Sequence, residues 1–286
     1  MSQSILAAQL YTIRDFTKTR ADFAESMRKI SEIGYRVVQL SSVGAIGDAF
    51  IKRVCDDNGL SICNTHVGVD QLQNDIEDVI AQHELWDCRH VAIGGMPPEF
   101  RDSEAGFRSF AVLANGIGER LAEAGLSFSY HNHSFEFVKF GDRSGLDIFF
   151  AETDPRYVSA ELDTYWIQHG GADPIVWIDR LAGRMPVIHL KDMVMLPVPH
   201  PPAPSPTGRE GERKVPPSSW GRDLGWGPPQ QAMAEVGEGN MNFPGILAAC
   251  RRAGVEFYAV EQDICQRDPF ESLAISYRNL RAMGLE

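Results

Sequence analysis

The sequence predicts a single (β/α)₈ barrel, and three observations predict it. Short apolar or β-branched runs alternate with helix-periodic stretches, the alternation repeats eight times, and no dinucleotide fingerprint follows the first run. The runs are Ile5–Leu10, Val37–Leu40, Ser61–Asn64, His90–Ile93, Leu126–Tyr130, Val158–Leu162, Val187–Leu190 and Phe257–Val260. Each has the four to six residues of a strand buried on both faces. Strict alternation allows a closed barrel or a doubly wound sheet. Eight units, with no GxGxxG after the first, select the barrel. A chain of 286 residues suits one such domain, read as residues 1–286.

The helical stretches carry their own punctuation. Phe23, Met27, Ile30 and Ile33 recur at helical spacing and stop at Gly34, a C-cap residue. Phe107–Ala124 repeats the pattern and stops at Gly125, and Pro244–Ala253 stops at Gly254. One region breaks the rhythm. From Met193 to Ala234 no strand or long helix is expected, and ten of the seventeen prolines fall there. We read about 193–234 as a proline-rich insertion after strand seven, with too few apolar residues for a core. Its segment Pro197–Ser219 reads as a tolerated insert. Trp220, Arg222 and Trp226 leave open a lid or a contact between copies in a homo-oligomer.

Composition limits the partners. The formal charge of −12 argues against nucleic acid or an anionic membrane surface, since both need clustered Lys and Arg. The longest apolar runs are strand-sized, so no membrane span is expected. The N-terminus lacks a secretory pattern. Five cysteines without CxxC spacing read as reduced thiols, and the cytoplasm is the expected location.

In a barrel of this kind the active site lies at the C-terminal ends of the strands. There the sequence places Thr65-His66, Tyr130-His131-Asn132-His133-Ser134-Phe135-Glu136, Glu161-Leu162-Asp163-Thr164-Tyr165-Trp166, His189-Leu190-Lys191-Asp192 and Glu261-Gln262-Asp263. Carboxylates and imidazoles thus gather on one rim. Singly, each has a structural alternative: a carboxylate at a strand end is often a helix N-cap, and His131 or His133 alone suits a satisfied core histidine. His66 divides evenly between substrate contact and structure. Tyr11 and Trp166 suit sugar stacking or packing. His83, His90 and His169 are given no role. Gly237-Glu238-Gly239 lacks the Lys-Ser/Thr of a nucleotide loop and reads as a tight turn.

Taken together, Gln9-Leu10-Tyr11-Thr12, YHNHSFEF, LDTYW, HLKD, EVGEG and VEQD resemble the sugar phosphate isomerase/epimerase group of xylose-isomerase-like barrels. The resemblance spans nearly the whole chain outside the insertion. It implies one divalent ion held by Glu136, Asp163, His189 and Glu261, with His131 or His133 as the fallback on strand five. Three carboxylates and one imidazole suit Mn²⁺ first, with Mg²⁺, Zn²⁺ or Co²⁺ as alternatives. It also implies a sugar-like small-molecule substrate, isomerised through an enediolate with Glu136 and Glu261 as the proton-transfer pair. His66, His131, His133, Trp166 and Lys191 are the expected substrate contacts. Lys191 shares the face of His189, two residues away, and could stabilise an oxyanion. The YHNH segment stands where other isomerases carry a glutamate, which keeps a metal-dependent dehydratase of an inosose or 3-keto-glycoside as the rival. The DNA-repair endonucleases of this fold have more histidines and a basic cleft, neither visible here. A non-catalytic sugar-binding barrel is the remaining class.

Overall fold

The computed structural model describes residues 4–197 and 230–285. Eight parallel strands form the central sheet: β1 Ile5–Gln9, β2 Val37–Leu40, β3 Ser61–His66, β4 His90–Ile93, β5 Ser127–His131, β6 Val158–Glu161, β7 Val187–Leu190 and β8 Phe257–Val260. Their order is β6-β5-β4-β3-β2-β1-β8-β7. The seam between β6 and β7 closes just beyond β6, where Asp163 bridges His189 and His189 N donates to Leu162 O at 2.8 Å. The sheet is a (β/α)₈ barrel.

The helices end where the glycines require. Arg20–Ile33 stops at Gly34, Glu104–Glu123 lies just before Gly125, and Phe243–Ala253 stops at Gly254. Gly254 has φ 78°, a left-handed value that a side chain would strain.

Strand parity separates two apolar clusters. Leu6, Ala8, Val38, Leu40, Ile188 and Leu190 face outward onto helix residues such as Phe23, Met27 and Phe110. Ala7, Val37, Cys63, Val187 and Ala259 fill the bottom of the barrel interior. Above them the interior turns polar, because the next inward positions are Gln9, Gln39, Glu161 and His189, all fully buried. A register shift in β3 brings Asn64 opposite Gln39, so that this strand too turns a polar side chain inward.

One expectation is corrected at the insertion. Asp192–Leu196 pairs antiparallel with Gln230–Ala234, so both ends of the 193–234 region are strands. Each strand finds its partner across more than thirty residues, and no local sequence pattern announces such a pairing. The expectations for Pro197–Ser219, Trp220, Arg222 and Trp226 lie, apart from Pro197, outside the described residues. Glu235–Gly239 is a turn, as expected, and it wraps a buried carboxylate. Asp192 accepts hydrogen bonds from the backbone N–H groups of Met193, Gly237, Gly239 and Met241 at 2.7–3.2 Å. A Cβ on Gly239 would overlap Asp192 Oδ1, so the turn needs glycine there. The five cysteines are free thiols, and no helix among the described residues is long and apolar enough to cross a membrane.

Candidate active site

Residues two apart on a strand point the same way, so each strand that turns one polar side chain inward delivers a second above it. The result is two polar tiers. The lower one centres on Glu161, which has no solvent exposure. Gln39 Nε2 donates to Glu161 Oε1 at 2.8 Å and Asn64 Nδ2 donates to the same oxygen at 2.6 Å. His66 Nε2 donates to Oε2 at 2.7 Å. His189 Nε2 lies 3.1 Å from Glu161 Oε1 and 3.0 Å from Gln39 Oε1. Burial alone would push the Glu161 carboxyl upward, but the imidazoles of His189 and His66 outweigh it and hold the group well below the usual carboxylate range.

The upper tier gathers one potential ligand atom from each of His131, Asp163, His189 and Glu261, all within 4.8 Å of one another and all from buried residues. Asp163 answers both readings of a strand-end carboxylate. Its Oδ1 accepts from Trp166 N at 2.9 Å and caps the helix Thr164–His169. Its Oδ2 faces the cluster, where its near neighbour is the Lys191 ammonium at 3.0 Å. Burial raises the Asp163 carboxyl to about 6. His131 Nδ1 is buried without a partner, and burial beside His189 and His66 keeps this imidazole neutral, its pKa well below the ordinary value. His189 Nδ1 faces Glu261 Oε2 at 2.8 Å. Although burial opposes its charge, the carboxylates of Glu161 and Glu261 raise His189 to about 10.

Lys191 runs through the same tier. Its ammonium lies 3.0 Å from Asp163 Oδ2, 3.0 Å from Glu261 Oε2 and 2.9 Å from Asp263 Oδ1. Three carboxylates bring three formal negative charges and Lys191 returns one. The two that remain match a divalent cation once His189 has given up its proton. A buried nitrogen without a partner, two imidazoles and two carboxylates within reach of one point, and this charge balance all fit such an ion.

Glu136 is not part of the cluster. It sits in the single turn Phe135–Phe137, fully buried, and accepts from Tyr130 OH at 2.6 Å and from His133 N at 2.9 Å. Tyr130 is an outward position of β5, packed on Phe110 and Phe149 of the helical layer. Glu136 follows Tyr130 out of the barrel, whereas His131, the inward neighbour, faces the cluster. Burial raises the Glu136 carboxyl to about 7, despite the opposing bonds from Tyr130 and His133.

A cavity of about 480 Å³ opens above the upper tier. The expected contacts His66, His131, His133, Trp166 and Lys191 all line it, with Tyr11, Glu261 and Asp263. Gly94 and Gly95, after β4, leave room for two imidazoles: a Cβ there would come within 3.1 Å of His66 Nδ1 and 3.2 Å of His133 Nδ1. Partial burial of His133, and next the Lys191 ammonium, lower its pKa to about 4 and leave the ring neutral. Three residues given no role lie elsewhere. His83 bonds Thr65 and Val79 within the helical layer, His90 stands at the bottom of β4, and His169 stacks on Tyr165. Gln39, Asn64, Glu161 and Asp263 belong to the site and were absent from the expected set. The two-residue parity that picked out Lys191 would have found Glu161, beside Asp163, and Asp263, beside Glu261.

Comparison with solved structures returns the same architecture. A sugar phosphate isomerase/epimerase from Parabacteroides distasonis superposes with a TM-score of 0.73 at 21% identity, over 99% of this chain and 95% of that one. The chain shares the (β/α)₈ barrel fold with that protein. The probable 3-DHS dehydratase AsbF from Bacillus anthracis gives a TM-score of 0.67 at 13% identity, covering 97% and 98% of the two chains. An L-ribulose 3-epimerase gives 0.66 at 12% identity, covering 98% and 94%. No family model and no curated protein matches the sequence.

Proposed function

We propose that this protein is a divalent-metal-dependent isomerase or epimerase of a keto-sugar, acting by removal of the hydrogen next to the carbonyl. The observation that carries this reading is the convergence of His131, Asp163, His189 and Glu261 beneath a cavity of sugar size, with His131 Nδ1 buried and unpartnered. When bound, the ion would supply Lewis-acid polarisation of the substrate carbonyl. With two imidazoles in place of one, the donor set suits Mn²⁺, Zn²⁺ or Co²⁺ better than Mg²⁺.

The chain's own groups do the rest. Asn132 Oδ1 accepts from Asp163 N at 3.0 Å and fixes the ligand backbone, while Glu161 and Gln39 orient His189 through its far nitrogen. Glu261 lines the cavity and is the base, held ionised by Lys191 and His189. Lys191 is placed to stabilise negative charge on the substrate oxygen. With Glu136 turned away, the second proton-transfer group on the cavity wall is His133, neutral and with Nδ1 free.

The same displacement of Glu136 favours a second reading. Return of a proton to the opposite face needs a second base there, whereas in loss of a β-hydroxyl the proton taken by Glu261 can be handed to the leaving oxygen, which departs as water. Solved proteins of this fold include both an epimerase and a dehydratase by their descriptions. Incubation of ketoses, inososes and 3-keto-glycosides in D₂O separates the two. Deuterium in a product of unchanged formula supports the isomerase, and loss of water supports the lyase. Absence of α-hydrogen exchange in every candidate would end both.

A further inference from the structure

The cavity over the cluster does not stop at His66. A second hollow of about 490 Å³ adjoins it, and Ser41, Ser42, His66 and Val67 line both. The outer hollow lies between the loop 41–47, after β2, and the end of β3. Its floor is apolar, since Leu40, Ile51 and Trp86 are buried there. Its rim is polar and, among the described residues, carries one carboxylate, Asp48, and no lysine or arginine. Gln71 is exposed, and Gln82 Nε2 occupies the carboxylate of Asp48 with a 2.8 Å hydrogen bond. The junction has a set shape: Ser42 has φ 55°, a left-handed conformation that costs a non-glycine residue energy, and its carbonyl accepts from Lys18 Nζ.

Charge decides what such a cleft accepts. Among the described residues lining the two hollows, Lys191 is the sole lysine or arginine, and it lies in the inner one, over the cluster. In the outer hollow a phosphate or carboxylate group would meet no lysine or arginine among the described residues and would face Asp48. An apolar floor with an amide and hydroxyl rim instead matches a sugar ring or similar unit, which has apolar faces and a polar edge.

We propose that the substrate is a neutral glycoside of two units, with the reacting ring over the His131–Glu261 cluster and the second unit in the outer cleft. The placement of the reacting ring rests on the keto-sugar reading above. The outer subsite rests on the cleft alone, and the test keeps the two apart.

Calorimetry on the full chain with glucose, glucose 6-phosphate, maltose, cellobiose and trehalose measures the subsite without any turnover. At least one neutral disaccharide should bind roughly tenfold or more tighter than glucose, and glucose 6-phosphate no tighter than glucose. Ala45, exposed on the outer cleft, gives a blocking variant remote from the cluster. Ala45→Trp should abolish the disaccharide advantage and leave glucose binding unchanged, with Gln71→Ala as the milder variant should the first fail to fold. Equal binding of mono- and disaccharides, an advantage that survives both variants, or a preference for the phosphate ester would overturn the proposal. If no keto-sugar exchanges its α-hydrogen while the disaccharide advantage and its loss on substitution persist, the subsite stands and the chemistry falls.

Discussion

Glu136 offers the sharpest test of the site's boundary, through the pH dependence of stability. In the folded chain burial raises its carboxyl from an ordinary 4.5 to about 7. Between these values the native state holds a proton that the unfolded state has released, so stability falls as pH rises through this window. Glu136→Gln removes the titration. Tyr130 OH and His133 N both contact Oε1 of the glutamate, so the amide oxygen of glutamine can accept from both, while its nitrogen takes the place of Oε2 beside His133 N at a cost that does not vary with pH. Relative to the parent, the variant should therefore be at its least stable near pH 4.5 and gain as the pH rises toward 8. At about 1.4 kcal/mol per tenfold, the full gain approaches about 3 kcal/mol, an upper figure because water entry would soften the burial. Urea unfolding of chelator-treated protein at half-unit steps from pH 4.5 to 8 measures it. A stability difference that stays flat with pH would refute the reasoning. So would loss of the bound ion in this variant, because Glu136 would then be a ligand after all.

The other predictions concern the cluster and its support. His131→Ala should lower the stoichiometry of bound divalent ion, read by elemental analysis, from near one per chain to near zero, with the fold intact. Glu261→Gln should cut turnover by roughly two to four orders of magnitude, the usual contribution of a positioned base; parental activity would remove Glu261 from the mechanism. Binding of the ion at pH 7 should release about one proton, from His189, so affinity should rise with pH, as calorimetry in two buffers of different ionisation enthalpy can show. Asp192→Asn should cost roughly 1–3 kcal/mol, because an amide nitrogen would face backbone N–H groups of the 237–241 turn.

The barrel was legible because its signals are local. All eight strands lie where the apolar runs placed them, and the glycines at 34, 125 and 254 close their helices or follow within two residues. The ribbon Asp192–Leu196 with Gln230–Ala234 was not legible, since each half depends on a distant partner. The site was partly legible. Asp163, His189 and Glu261 come together with His131, named beforehand as the alternative on strand five. The preference for Glu136 came from the chemistry of a carboxylate and overlooked its parity.

Parity also explains why the two histidines of YHNH differ in place but not in kind. Ser127, Ser129 and His131 alternate inward on β5, while Phe128 and Tyr130 pack outward under the helices. His133 continues the inward series past the strand end, where Gly95 leaves space for its ring beside Trp166. A glutamate three residues further on, in a tight turn, has already left that series. It finds the hydroxyl of an outward tyrosine and the turn's own N–H instead. The chain therefore supplies two neutral imidazoles to the cavity from strand five. A neutral imidazole can bind a cation or accept a proton, but it cannot bring the negative charge that a glutamate would. The balance of the upper tier depends on this exchange. A fourth carboxylate beside Asp163, Glu261 and Asp263 would leave three uncompensated negative charges around Lys191, one more than a divalent ion can neutralise. Histidine at 131 and lysine at 191 thus read as one arrangement, the imidazole completing the ligand set without charge and the ammonium setting how much charge remains for the ion.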